Sequence, residues 1–318
     1  MKLKTPEDVI APNTIAVLIP CYNEEVTIGD VVRQFLAQLP HATIYVFDNN
    51  SSDRTAEMAR QAGAIVCYER RQGKGYVVQS MFRQVKADIF IMVDGDGTYP
   101  PSSVRKLIAP ILNHEADMVI GSRLHGQSQS QFKPLNLLGN KMFLSLLNSI
   151  FRVKLTDILS GYRAFTRQFV QGIPLFGGGF EIEAELTIKA LERGYQIVEI
   201  PIDLSHRPKG SYSKIRLIRD GMIIVNTILA LFRDYKPLTF FGSAGLVLIA
   251  GGLIPGVVVI LEFMRTGLVL RMPLAILSVG LVLSGMLTVT VGIILHTVNR
   301  RFQELEYLLR LLTTRSKE

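Results

Sequence analysis

The sequence predicts an α/β fold, a mostly parallel sheet covered by helices, followed by an interfacial helix and a two-helix transmembrane hairpin. Three observations predict it. Up to about Tyr235 short apolar or β-branched runs alternate with stretches of helical period. The segment Lys214–Phe232 gathers its charges at its start and then turns apolar. Beyond Pro237 two long stretches are almost free of charge.

The strand candidates are Ile15–Ile19, Thr43–Phe47, Ala64–Cys67, Ile89–Val93 and Met118–Ile120, and helix-period stretches lie between them at Val26–Gln38, Arg54–Ala62, Gly75–Val85 and Ser103–His114. In open sheets of this type ligands bind beyond the carboxyl ends of the strands. The polar clusters of this sequence fall at those ends.

In the segment from Lys214 the charges Lys214, Arg216, Arg219 and Asp220 precede Met222, Ile223, Ile224, Val225, Ile228 and Leu229, as in a helix lying at a membrane surface. The plainer alternative is a core helix. Leu238–Leu261 carries no charge and runs for about 24 residues, against the roughly 20 needed to cross a bilayer. Met272–Asn299 is a second such stretch, with His296 its one titratable member. The expected division is an α/β domain over 1–213, a juxtamembrane helix over 214–236, a hairpin over 237–299 and a tail over 300–318. Arg207, Lys209, Lys214, Arg216, Arg219, Arg233 and Lys236 precede the hairpin and Arg300 and Arg301 follow it, whereas the connecting loop offers Arg265 and Arg271. That bias places both termini in the cytoplasm and the chain in the cell membrane. Gly252 and Gly256, spaced as small-xxx-small, offer a surface for packing helices between protomers of a homo-oligomer.

The mean hydropathy of +0.28 averages these two regimes. The formal net charge of +8 points to phosphate-rich ligands or an anionic membrane surface. Nucleic acid is disfavoured, because no nucleic-acid-binding signature joins the basic residues. Two cysteines, Cys21 and Cys67, exclude a disulfide scaffold and suit a reducing compartment. Residues 1–13 have no apolar core of a signal peptide, so the N-terminal domain is expected to stay in the cytoplasm.

The strongest chemical signal is Val93-Asp94-Gly95-Asp96-Gly97 directly after an apolar run. Two carboxylates one residue apart at a strand end suit a hard divalent ion, Mg2+ or Mn2+, bridging to a diphosphate. The alternative is an acidic turn. At the first strand end stands Ile19-Pro20-Cys21-Tyr22-Asn23-Glu24-Glu25, where Asn23 is also a candidate helix cap. At the second stands Asp48-Asn49-Asn50-Ser51-Ser52-Asp53-Arg54-Thr55, with Ser52 or Asp53 in the same position. Gly73-Lys74-Gly75 is too short for a phosphate loop of the ATPase type.

With Gly121-Ser122-Arg123, Asp157-Ile158-Leu159-Ser160-Gly161-Tyr162-Arg163 and Arg207-Pro208-Lys209-Gly210-Ser211-Tyr212-Ser213-Lys214, these segments resemble an inverting glycosyltransferase of family 2 with a GT-A fold. The last two motifs, followed by two spans, are similar to polyprenyl-phosphate glycosyltransferases such as dolichol-phosphate mannose synthases and bacterial bactoprenol glucosyltransferases. The resemblance implies that Pro20, Tyr22, Glu24 and Asp48 hold the nucleoside. It implies that Asp94 and Asp96 lie at ribose, diphosphate and metal. Arg123, helped by Lys133, would face the acceptor phosphate, and Arg207, Ser211, Ser213 and Lys214 would lie on a loop closing over the phosphates.

The resemblance implies transfer of a hexose from a nucleotide-sugar, UDP-glucose first and GDP-mannose second, to a polyprenyl phosphate such as undecaprenyl phosphate. A phosphate monoester has a second pKa of about 6 and is largely dianionic at neutral pH, so it needs cations more than a strong base. Asp157 is the first candidate for the carboxylate near the attacking oxygen, expected to orient groups, with Glu181 and Glu183 as rivals. A processive polysaccharide synthase is disfavoured because the chain lacks tryptophan and hence the Gln-x-x-Arg-Trp motif of those enzymes. A non-catalytic membrane-tethered sugar-nucleotide-binding protein is the reading from a different class.

Overall fold

A computed structural model describes residues 14–123, 144–205 and 226–315, less 146, 150, 227, 228 and 231. The chain forms two units, Met1–Val225 and Asn226–Glu318.

The first unit holds β1 (Ile15–Cys21), α1 (Ile28–Gln38), β2 (Thr43–Asp48), α2 (Thr55–Gln61), β3 (Ile65–Tyr68), α3 (Lys74–Gln84), β4 (Ile89–Met92), α4 (Val104–Leu112) and β5 (Met118–Ser122). After these come β6 (Arg163–Thr166), α5 (Arg167–Gly172), α6 (Ile182–Glu192) and β7 (Ile197–Pro201). The seven strands lie in the order β3-β2-β1-β4-β6-β5-β7. All neighbours are parallel except β6, which runs antiparallel to both β4 and β5.

Alternation along the strands divides the core between two faces. From β1, Val17 and Ile19 point into a cluster with Ile28, Val32 and Phe35 of α1 and Val104 and Leu107 of α4. Ala16 and Leu18 point the other way, to Val77, Val78 and Met81 of α3, Phe169 of α5 and Ile182 and Leu186 of α6. The central strands are therefore apolar on both faces, as a sheet sandwiched between helix layers requires. The spacing of Ile28, Val31, Val32 and Phe35 gives α1 one buried stripe. Each such fully buried side chain is worth about 1.5–3 kcal/mol against exposure.

All five predicted strands form, with ends shifted by one or two residues. The strands β6 and β7 were not expected. Each is short and carries a charged residue, Arg163 or Glu199, where a period-2 apolar pattern would otherwise show.

The second unit is a helical hairpin of α7 (Pro237–Thr266) and α8 (Met272–Arg315). Pro237–Thr266 and Met272–Phe302 are long and apolar enough to cross a membrane. The turn begins at Gly267, which adopts a left-handed φ of 69° that closes α7. α8 continues as helix through the expected tail to Arg315. Gly252 and Gly256 pack inside the hairpin, which corrects their expected role between protomers: a Cβ on Gly252 would lie 2.8 Å from the Ser278 carbonyl, and one on Gly256 would lie 2.6 Å from Ser278 Oγ. Ser278 Oγ in turn donates to the Gly252 carbonyl at 2.6 Å. Of the expected juxtamembrane helix, 214–225 lie outside the described residues, and 226, 229–230 and 232–235 are helical.

Candidate active site

The parallel register aligns the polar strand ends on one sheet edge. Cys21 pairs with Asp48 and Leu18 with Met92, so the segments after β1, β2 and β4 leave the sheet side by side. Side-chain bonds then knit the three together. Thr27 Oγ1 donates to the Gly95 carbonyl at 2.7 Å, and the Glu24 amide donates to Thr55 Oγ1 at 2.7 Å. Asn23 does not cap α1, whose cap position is Thr27. It adopts a left-handed φ of 52°, and its Oδ1 accepts from the Ser52 amide at 2.8 Å. Nor does Ser52 or Asp53 occupy the cap position of α2, which is Arg54. Asp53 instead accepts from the amides of Glu25 at 3.1 Å and Thr55 at 3.0 Å.

On this edge Tyr22 is exposed, Pro20 half-buried, and Glu24 and Asp48 are buried. Asp48 Oδ1 accepts from the Ser51 amide at 3.3 Å. Cys21 is a packing residue: a Cβ on Gly95 would come within 2.6 Å of its Sγ. Asn49 pins the segment after β3, donating to the Glu69 and Arg71 carbonyls at 2.8 Å each and accepting from the Gly73 amide at 2.7 Å.

That segment delivers the least anticipated residue of the site. Lys74 Nζ lies 2.5 Å from Asp94 Oδ1 and 2.5 Å from Glu183 Oε1. Burial alone would lower the Lys74 pKa, but Asp94 and Glu183 outweigh it and raise it, so the ammonium is fixed. The approach depends on glycine. A Cβ on Gly73 would lie 2.0 Å from the Gly178 carbonyl oxygen, and one on Gly75 would lie 2.2 Å from that of Gly177. The facing 176–179 segment is held by carboxylates. Glu185 accepts from the Phe176 and Gly177 amides at 2.9 and 2.7 Å, and Glu181 from those of Gly178 and Gly179 at 2.9 and 2.8 Å.

These bonds explain how α6 buries Glu183, Glu185, Thr187 and Lys189. A buried charge is tolerated when it is paired. Glu183 meets Lys74, Glu185 meets Lys189 Nζ at 2.6 Å, and Thr187 accepts from Arg163 Nη1 at 2.9 Å. Arg163 is fully buried and also donates to the carbonyls of Ser160 at 2.8 Å and Ile158 at 2.7 Å. Burial pushes its pKa down to about 10. Its work is to shape the 157–163 turn, which the sequence motif alone did not reveal.

The same turn carries Asp157, completely buried. Its carboxylate takes a two-pronged grip from Arg123, Nε to Oδ2 at 2.8 Å and Nη2 to Oδ1 at 3.0 Å, and accepts the Arg123 amide at 3.0 Å. Burial alone would raise the Asp157 pKa, but the guanidinium outweighs it and holds it below the usual range. Gly161 brings the turn against the acidic pair: a Cβ there would lie 2.5 Å from Asp94 Oδ2. Tyr99 stands between the two groups, accepting the Gly161 amide at 2.9 Å and feeling the charges of Arg123, Asp94 and Lys74. The three candidate bases are thus all engaged: Asp157 by Arg123, Glu181 by loop amides and Glu183 by Lys74.

Asp96 is buried, and its Oδ1 accepts from Thr98 Oγ1 at 2.6 Å and from the Thr98 amide at 3.1 Å. No group of three or more His, Cys, Asp or Glu among the described residues forms a metal cage. Asp94 and Asp96 are hard oxygen donors, so this set fits a divalent ion held by one or two carboxylates together with phosphate oxygens. Lys133, Arg207, Ser211, Ser213 and Lys214 lie outside the described residues.

Two comparisons decide the family. The model of Glycosyl transferase family 2 matches residues 16–173. The glycosyltransferase AglJ of Haloferax volcanii is 35% identical over 243 residues, 76% of this chain and 80% of that relative. The chain belongs to glycosyl transferase family 2. It is a glycosyltransferase, and this family 2 enzyme has further relatives that are named for lipid phosphates. A dolichyl-phosphate hexose transferase of Haloferax volcanii is 29% identical over 67% of this chain and 92% of its own length. A dolichol-phosphate mannosyltransferase of Pyrococcus furiosus is 29% identical over 64% of this chain and 59% of its own. Among solved structures, glucosyl-3-phosphoglycerate synthase from Mycobacterium tuberculosis, crystallised with Mn2+, UDP-glucose and phosphoglyceric acid, shares the GT-A fold. It superposes with a TM-score of 0.58 at 23% identity, over 69% of this chain and 80% of its own.

Proposed function

We propose that this family 2 enzyme transfers a hexose, with inversion, from a nucleotide-sugar to a polyprenyl phosphate at the cytoplasmic face of a membrane. The observation that carries the reading is the arrangement of cations around the acidic pair. Arg123 is clamped by Asp157 beside the 161 turn, and that turn abuts Asp94, which Lys74 holds from the other side. A phosphate nucleophile is already ionised near neutral pH. Such a nucleophile calls for a fixed planar cation, which Arg123 provides, and Asp157 serves as the group that orients it.

In this reading Tyr22, Pro20, Glu24 and Asp48 hold the nucleoside, and Asp94 and Asp96 hold Mg2+ or Mn2+ jointly with the diphosphate. The ion would supply charge neutralisation of the departing diphosphate. Lys74 holds Asp94 aligned through their ion pair. Lys133 would assist Arg123, and Arg207, Ser211, Ser213 and Lys214 would close over the phosphates. The two apolar helices anchor the enzyme, with Arg233, Lys236, Arg300 and Arg301 on the cytoplasmic side. UDP-glucose is the first choice of donor, because the two-span architecture resembles that of bactoprenol glucosyltransferases. GDP-mannose is the second, on the likeness to the mannosyltransferase.

The test offers purified full-length protein undecaprenyl phosphate, Mg2+ or Mn2+, and a panel of nucleotide-sugars. Sugar appearing on the lipid with one donor supports the reading. Product only on a growing glycan, or none with any donor, sinks it, and full transfer in a chelator removes Asp94 and Asp96 from metal binding.

A further inference from the structure

The edge strand β7 carries a carboxylate that touches the clamped pair from behind. Glu199 Oε1 accepts from the amides of Thr156 and Asp157 at 3.0 and 2.9 Å, and its Oε2 accepts from the Thr156 amide and Thr156 Oγ1 at 2.8 and 2.9 Å. Thr156 Oγ1 also lies 2.9 Å from Ser122 Oγ. Two consecutive residues of β5 and its exit, Ser122 and Arg123, therefore meet two consecutive residues of the turn, Thr156 and Asp157. Glu199 ties both backbone amides of that turn. The parallel register sets Glu199 opposite Ile120, one strand away from the start of this circuit.

Glu199 lies close to a second carboxylate, that of the buried Asp157. Burial raises its pKa, and the neighbouring charge of Asp157 adds to the rise. It also lines a cavity of about 520 Å³ with Lys154, Leu155, Thr156, Tyr195 and Gln196. A second acid this close to Asp157 carries an electrostatic cost. What offsets the cost is geometry: a carboxylate with two acceptor oxygens and no donor satisfies three N–H and O–H groups of one turn at once.

We propose that Glu199 is a positioning residue for acceptor binding, holding the Thr156–Asp157 turn so that Asp157 presents both oxygens to Arg123. This inference rests on the reading of Arg123 as the cation that meets the acceptor phosphate. Without Glu199 the turn loses its anchor, and Asp157 loses the two-pronged geometry with which it orients the Arg123 guanidinium. The nucleoside side, at Tyr22 and Asp48, lies on other strand ends and keeps its contacts.

Full-length protein in detergent tests this with two probes, undecaprenyl phosphate and UDP with Mn2+. Glu199→Ala is expected to weaken undecaprenyl phosphate binding at least tenfold while leaving UDP affinity within twofold. Glu199→Gln keeps one acceptor oxygen for the two amides and should recover most of the loss. Amide hydrogen exchange over 155–159 should speed up in Glu199→Ala and stay slow in Glu199→Gln. Equal loss of both affinities, an Ala variant with unchanged lipid affinity, or unchanged exchange over 155–159 overturns the proposal. Arg123→Ala separates the two ideas. If it leaves lipid binding intact, the acceptor assignment itself fails; if it abolishes binding while Glu199→Ala does not, only the Glu199 inference fails.

Discussion

Arg123 grips Asp157 through two parallel charge-assisted bonds of 2.8 and 3.0 Å, and the Asp157 carboxylate is shut off from solvent. Removing one partner of a buried pair typically costs about 3–5 kcal/mol, because the other charge is left uncompensated. Asp157→Asn is therefore expected to lower the melting temperature and weaken acceptor binding. It should keep measurable transfer, since a dianionic phosphate needs no proton removed. Steady-state kinetics with a polyprenyl phosphate check this; an Asn variant that holds Arg123 in place yet shows no turnover would make Asp157 an obligatory base.

Lys74 joins two carboxylates from different elements, Asp94 and Glu183. Lys74→Met leaves them facing each other without the cation that joins them. A loss of about 100-fold in kcat/KM is expected, the scale seen when one preorganised charge donor is removed. Glu183→Gln in the Lys74→Met background should cost less than it does alone, because the shared interaction is already gone. Strict additivity in that double-mutant cycle would deny the bridge.

Gly161 meets the end of the Asp94 side chain, not backbone. Gly161→Ala should consequently preserve the fold and displace Asp94. The expected signature is a several-fold rise in the Mn2+ concentration needed for half-maximal activity, with little change in melting temperature. A metal titration beside a thermal melt distinguishes this from general damage.

Glu69 accepts Arg71 Nε at 3.1 Å and Arg71 Nη2 at 3.0 Å, and the Arg71 bond holds its pKa down at about 2 from an ordinary 4.5. A depressed carboxyl contributes stability that is full above its unfolded pKa and is lost as pH falls through the folded one. The melting-temperature gap between the parent and Glu69→Gln should be widest above pH 4.5 and close as pH falls toward about 2. A gap that does not change with pH would place the Glu69 contribution in packing.

Gly245 and Gly285 face each other across the hairpin, a Cβ on either lying 2.7 Å from the other's carbonyl oxygen. Between apolar helices in lipid, close backbone approach is the main attraction. Gly245→Val or Gly285→Val should lower the melting temperature in detergent and leave the site residues of the first unit untouched. Thermal melts of both variants, with Gly251→Ala as the control in open space, check it.

The sequence by itself determined the β-α alternation, the two apolar spans and the family, because these are written in local period, run length and motif spacing. Asp94-Gly95-Asp96 was legible for the same reason: both carboxylates sit on one short segment after one apolar run. The tertiary structure alone decided which charges meet. Lys74 reaches Glu183 across more than a hundred residues of chain, and Glu199 reaches the amides of Thr156 and Asp157 from an edge strand that no period announced. Such pairings follow from sheet order and from where glycines allow two backbones to touch, and neither is a property of any one segment.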